Sequence, residues 1–139
     1  MEYVLGGAVL GRSIDEIGTR YEKLCLCTAD VQEWPHRALL REAGWHLKQV
    51  NHVRAVPRLF LGDMERSRFR HVFTKLRAMA EVQYEKVLLL DIDTLVLQPM
   101  DGLFDLPAPA AMRRGMNSRN WSEHGRAMDG WSLFRGRGE

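Results

Sequence analysis

A chain of 139 residues, 45% hydrophobic and 27% charged, has the size and composition of one globular domain and is too apolar for a disordered segment. Twenty basic against eighteen acidic residues leave a formal charge of +2, too little to point to nucleic acid as a partner. No apolar run approaches the ~20 residues of a membrane-spanning helix, and no basic segment precedes an apolar one at the start, so a chain without a membrane span, cytoplasmic in preference, is expected.

Residues 3–17 read as a short amphipathic helix, with Val4, Ala8, Ile14 and Ile17 at helical spacing, Gly6, Gly7 and Gly11 weakening it, and Gly18-Thr19 ending it. "KLCLCT" reads as a strand. Its Cys25 and Cys27 point the same way, where neighbours two apart are poorly placed for a disulfide, and two buried free thiols are expected. "ADVQEWPHRALLREAG" follows as a helix capped by Asp30 and closed by Gly44, and "WHLKQVNHV" alternates like a second strand.

Residues 53–71 are arginine-rich and irregular, as expected of a surface connection. "HVFTKLRAMAEVQY" reads as a helix with Val72, Leu76, Met79 and Val82 along one side, and it leads into a strand over 86–91. After Pro99 come a short turn, "MDGLFDLP", a strand in "APAAM" and a Gly/Arg-rich remainder. Strands alternating with helices predict an α/β fold with a mainly parallel sheet flanked by helices, in which ligands sit at the carboxyl ends of strands. The expected division is a domain over 1–112 and a loop or partly disordered tail over 113–139.

Asp91 and Asp93 lie at such an end, one residue apart, between the apolar runs "VLLL" and "TLVL". Two ionised acids held near a core cost several kcal/mol in lost hydration unless something compensates them. A divalent ion would do so: Mg²⁺ or Mn²⁺ takes one or two protein carboxylates and completes its shell with water and substrate phosphates. The alternative is that both acids cap a turn in solvent. A haloacid dehalogenase-type Mg²⁺ phosphatase would place a threonine two positions beyond the second acid, where this sequence has Leu95.

Four ordered stretches, "YVLGGAVLGRSI", "LCLCTADV", "FTKL" and "KVLLLDIDTLVLQPMDGLFDLP", resemble glycosyltransferase family 8, the retaining glycogenin and galactinol synthase group. The resemblance implies an incomplete nucleotide-diphospho-sugar transferase (GT-A, Rossmann-like) fold and transfer of a hexose from a UDP-sugar to a carbohydrate or other hydroxyl acceptor. It further implies that Asp91 and Asp93 hold Mn²⁺ (or Mg²⁺), that the Ile92 backbone lies against the ribose, that Lys75 faces the donor's charge and that Tyr3 is close to the nucleotide pocket. The strand preceding the matched tyrosine in that family, its Asn-Ser-Gly-like turn and its metal-binding His-Gly loop have no counterpart, so a domain truncated at both ends is expected. His124 follows the acid motif too closely to stand in for that loop, and His36, His46, His52 and His71 show no ligand-like spacing. The alternative function is a catalytically inactive remnant that binds metal or a partner protein; the sequence leaves the oligomeric state open.

Overall fold

The first helix carries three glycines within six positions, and the packing explains them. In a computed structural model that describes residues 2–53, 71–112 and 127–129, α1 runs over Glu2–Ile17 and Gly18 ends it, its amide donating to the Ile14 carbonyl at 2.9 Å. Its buried face consists of Gly7, Leu10, Gly11, Ser13 and Ile14. The expected stripe is therefore right at Ile14 and wrong in leaving out Leu10, which is 1% exposed. The face combines two large apolar side chains, Leu10 and Ile14, with small residues that let neighbours approach. A Cβ on Gly11 would lie 2.6 Å from the Ala43 carbonyl oxygen, closer than atoms can pack.

β1 (Leu24–Cys27) and β2 (His46–Gln49) pair in parallel, Leu24 opposite His46 and Cys27 opposite Gln49. A parallel pair needs a crossover, and residues 28–45 supply it. The expected helix over this stretch forms only in its second half, as α2 (Ala38–Glu42). Trp34 precedes Pro35 and is extended (φ −120°, ψ 134°), which a residue before proline favours, so the chain makes one wide turn over Glu33–Arg37 before α2 begins. Asp30 is not a helix cap; its carboxylate meets Thr28 and His52 instead.

Lys23 ties these elements together. Its side chain is 9% exposed, and its ammonium donates to the Gly11 carbonyl of α1 at 3.0 Å, to the Ala43 carbonyl just past α2 at 3.0 Å and to the Asp15 carboxylate. The last carbonyls of a helix have no partner within it, so this cation satisfies one of them while joining two helices. The Trp45 indole lies under the same cation, 5.8 Å from the ring centre, and donates its N–H to the Gly7 carbonyl at 2.7 Å.

The stretch expected as a helix after residue 71 forms a 3-10 helix over Val72–Ala80. Of its expected apolar side, Leu76 and Met79 are 51% and 82% exposed, and Val82 beyond it is 89% exposed; the small Ala78 is the buried position. Three residues per turn rotate the sequence away from the stripe that a 3.6-residue period would align. Thr74 and Arg77 anchor this helix to the segment after β2, the Thr74 hydroxyl accepting from the Val53 amide at 3.1 Å and the Arg77 Nε donating to the Asn51 carbonyl at 3.3 Å.

The chain divides into two units, Met1–Asp101 and Gly102–Glu139. In the second, β3 (Ala110–Met112) pairs antiparallel with β4 (Ala127–Asp129), so part of the stretch expected to be loop is a strand. The expected connection over 54–70 and most of the tail lie outside the described residues.

Two outcomes follow. Replacing Lys23 by Met should lower the stability of the fold by about 1.5–3 kcal/mol in urea unfolding, the range for a charged hydrogen-bond donor. Glu22 is held below the ordinary carboxylate range by the Tyr84 hydroxyl, Glu81 by Lys48 and Gln83, and Asp101 by Thr19. Because the unfolded chain binds protons first, their contribution is full above the ordinary carboxylate pKa of about 4 and is lost as pH falls through the lower folded values. Melting temperature should therefore decline on acidification in that window, less steeply in Glu81→Gln.

Candidate functional site

The segment bearing the acid pair leaves β-structure unformed. Residues 86–91, expected as a strand, pair with no described strand, and Val87 and Leu89 are 48% and 53% exposed. A strand requires a ladder partner and a second layer to cover its apolar face, and among the described residues the sheet of the first unit consists of β1 and β2. The chain turns sharply at 91–94, where both the amide and the hydroxyl of Thr94 donate to the Asp91 carbonyl, at 3.2 and 2.6 Å. Asp91 and Asp93 both project from this turn into solvent, the Asp91 side chain 66% exposed. Both acids are exposed, so the burial cost expected from the flanking apolar runs does not arise.

Helix α1 holds this turn by its backbone. The Ile92 carbonyl oxygen sits 2.8 Å from where a Cβ on Gly6 would be, so only a glycine at position 6 admits it. Seven residues along the helix, about two turns, the buried Ser13 hydroxyl donates to the Leu10 carbonyl at 2.8 Å and accepts the Val96 amide at 3.1 Å. The strip after the acids is thus pinned to α1 at both ends. Tyr3 is one turn before Gly6 and is 78% exposed. Gly6 and Ser13 have a positioning role that the motif alone does not reveal; the signal in the sequence is a pair of adjacent glycines inside a helical pattern.

Lys75, on the 3-10 helix, brings its ammonium to 3.2 Å from the Asp91 carboxylate, with side chains 46% and 66% exposed. Such an exposed pair contributes little to stability, so its consequence is the placing of one cation beside the acid turn. Of the five expected residues, Lys75 and Asp91 meet directly, while Ile92 is seated on Gly6 of the helix that also carries Tyr3. Asp93 shares the turn. Among the described residues, no group of three or more His, Cys, Asp and Glu side chains is placed to hold a metal ion. His124 lies outside the described residues.

Beyond the carboxyl ends of β1 and β2 sits a second polar group that sequence spacing did not suggest. His52 Nε2 lies 2.9 Å from the Asp30 carboxylate, and its ring packs on His71 with centres 4.1 Å apart. Spacing of 22 positions between Asp30 and His52 carries no periodic signal; the parallel register of the two strands brings them together. Replacing Gly6 by Ala should cost about 1–3 kcal/mol, the usual penalty for overpacking, although alanine favours helix. Amide exchange at Val96 and Thr94 should rise in that variant more than exchange in β1.

No protein-family model matches the chain, and no solved structure does. Curated relatives do. An uncharacterised protein of Acanthamoeba polyphaga mimivirus is 38% identical over 109 residues, which cover 78% of this chain and 38% of that protein. Inositol phosphorylceramide glucuronosyltransferase 1 of Arabidopsis thaliana is 32% identical over 103 residues, covering 74% of this chain and 18% of the relative. Human glycogenin-2 is 30% identical over 103 residues, covering 74% and 20%. The chain thus spans well under half the length of the relatives it matches. The ordered motifs, the exposed acid turn seated on α1 and the glycosyltransferases among its relatives agree, and the chain belongs with the glycosyltransferases of the family 8, glycogenin-like type.

Proposed function

We propose that this chain contributes the nucleotide-sugar site of a retaining glycosyltransferase with a GT-A-type α/β fold, moving a hexose from a UDP-sugar to a carbohydrate or other hydroxyl acceptor. The site region falls in 1–112. The observation that carries the reading is the Asp91-Ile92-Asp93 turn, solvent-facing, fixed to α1 at Gly6 and Ser13 and supplied with a cation by Lys75 at 3.2 Å.

The donor set suits Mn²⁺ or Mg²⁺. Two carboxylates on one exposed turn are hard oxygen donors with open space for water and phosphate oxygens, which is how such ions are commonly held. Asp91 and Asp93 would hold the ion, and when bound it supplies neutralisation of charge on a departing diphosphate. Lys75 adds a positive charge to the same side of the turn and binds the diphosphate oxygens. The Ile92 backbone, set by its seat on Gly6, positions the ribose, and Tyr3 borders the nucleotide. The work of these residues is binding and electrostatic orientation of the leaving group, a contribution that often dominates such catalysis.

The exposure of Val87, Leu89, Leu95 and Leu97 favours a second reading, in which the chain binds metal or a partner protein without turnover. No helix among the described residues is long and apolar enough to cross a membrane.

A thermal melt with Mn²⁺ and UDP, followed by an assay of UDP-sugar hydrolysis, tests the proposal. Ligands at about 100 times their dissociation constant should add roughly 2.7 kcal/mol of stability, visible as a raised melting temperature. The gain should vanish in Asp91→Asn and in Asp93→Asn. Lys75→Ala should weaken UDP binding about tenfold, equivalent to 1.4 kcal/mol. Stabilisation that persists in Asp93→Asn would overturn the site; stabilisation without Mn²⁺-dependent hydrolysis would select the second reading.

A further inference from the structure

The acid turn and the lysine that faces it are held by separate parts of the fold. The turn rests on α1, with the Ile92 carbonyl over Gly6 and the Val96 amide on the Ser13 hydroxyl. Lys75 belongs to the 3-10 helix, which Thr74 and Arg77 tie to Val53 and Asn51. Between these two anchored backbones the Lys75 ammonium donates to the Asp91 carboxylate at 3.2 Å, and the lysine side chain is 46% exposed. Rotation within a flexible four-carbon stem is enough to part the two groups, with neither backbone displaced.

The charges at the turn do not balance. Among the described residues the Asp93 carboxylate takes part in no ion pair, so two carboxylates face one ammonium and the turn carries one net negative charge. A divalent cation drawn to Asp91 meets the ammonium on the same carboxylate, and the two cations repel each other. Bound alone, such an ion would turn one net negative charge into one net positive charge while Lys75 lost its partner. A nucleotide diphosphate reverses that balance, because its oxygens accept the displaced ammonium as well as the ion. Exposed pairs are weak, and this sets the scale: the lysine loosens the hold on the ion a few-fold and does not exclude it.

We propose that Lys75 competes with the divalent ion for Asp91 and is released to the diphosphate, so that ion and nucleotide bind as a coupled pair. The coupling rests on the nucleotide-sugar reading above and adds to it a device that disfavours the ion without its nucleotide. By linkage, Mn²⁺ raises the affinity for UDP by the same factor as UDP raises the affinity for Mn²⁺. Lys75 thus acts in opposite directions on the two ligands, against the ion alone and in favour of the nucleotide.

The test measures both affinities on the full chain: Mn²⁺ alone, from the electron paramagnetic resonance signal of the free ion, and UDP by equilibrium dialysis with and without saturating Mn²⁺. In Lys75→Met, Mn²⁺ alone should bind about two- to fivefold more tightly. In the same variant UDP with Mn²⁺ should bind about tenfold more weakly, so the enhancement of UDP binding by Mn²⁺ shrinks. Lys75→Arg keeps the charge and should retain the parent's affinity for Mn²⁺ alone. Unchanged or weaker binding of Mn²⁺ alone by Lys75→Met would overturn the competition and leave the nucleotide-sugar site standing, as would equal tightening in Lys75→Arg. UDP binding that Mn²⁺ fails to enhance in the parent would remove the site reading itself, and the coupling with it.

Discussion

The close approach of foreign backbone to helix α1 is the constraint on which the first unit rests. Ile92 reaches Gly6, the Ala43 carbonyl reaches Gly11, and Trp45 donates to the carbonyl of Gly7. A methyl group at position 6 or 11 would have to occupy space already held by a carbonyl oxygen. The helix gives up some intrinsic stability, since glycine costs about 1 kcal/mol relative to alanine within a helix. What replaces it is packing that larger side chains would forbid, and through it one helix fixes the crossover, the strand that follows and the acid turn.

Charge is distributed unevenly over this frame. Lys23, nearly buried, joins α1 and α2 and meets a helix-end carbonyl that water reaches poorly. Glu81, 5% exposed, pairs with Lys48 at 2.7 Å and ties the end of the 3-10 helix to β2. The pair at the acid turn is different. Lys75 and Asp91 are both well exposed and 3.2 Å apart, so solvent screens their attraction and either can exchange its partner at small cost. At the acid turn, backbone packed on α1 thus lies beneath loosely paired, solvent-screened side chains.

The apolar residues around the turn bear on the same point. Val87, Leu89, Leu95 and Leu97 remain exposed, although burying a side chain of this kind contributes about 1.5–3 kcal/mol. The matched regions are 18% to 38% of the relatives named above, so those proteins have further chain with which to cover an equivalent surface. The acid turn does not depend on such cover for its position, because Gly6 and Ser13 hold it from beneath.

Local chemistry made much of this legible in the sequence. Apolar periodicity located α1, alternation located β1 and β2, and the spacing of Asp91 and Asp93 singled out two hard oxygen donors on one short stretch. Those features depend on neighbours along the chain, which a sequence displays. The start of α2 at Ala38 instead of near Asp30 was also readable in principle, since Trp34 precedes Pro35. Other features depend on neighbours in space. Whether 86–91 becomes a strand turns on a ladder partner, and whether the two acids are buried turns on what covers them. The Asp30–His52 contact, the 3.7 Å between the sulfurs of Cys25 and Cys27 and the seat of Ile92 on Gly6 follow from strand register, side-chain rotamers and helix position. Composition and spacing determined which groups are available for chemistry; only the tertiary structure decided which of them meet, because contact distances between remote residues are set by packing.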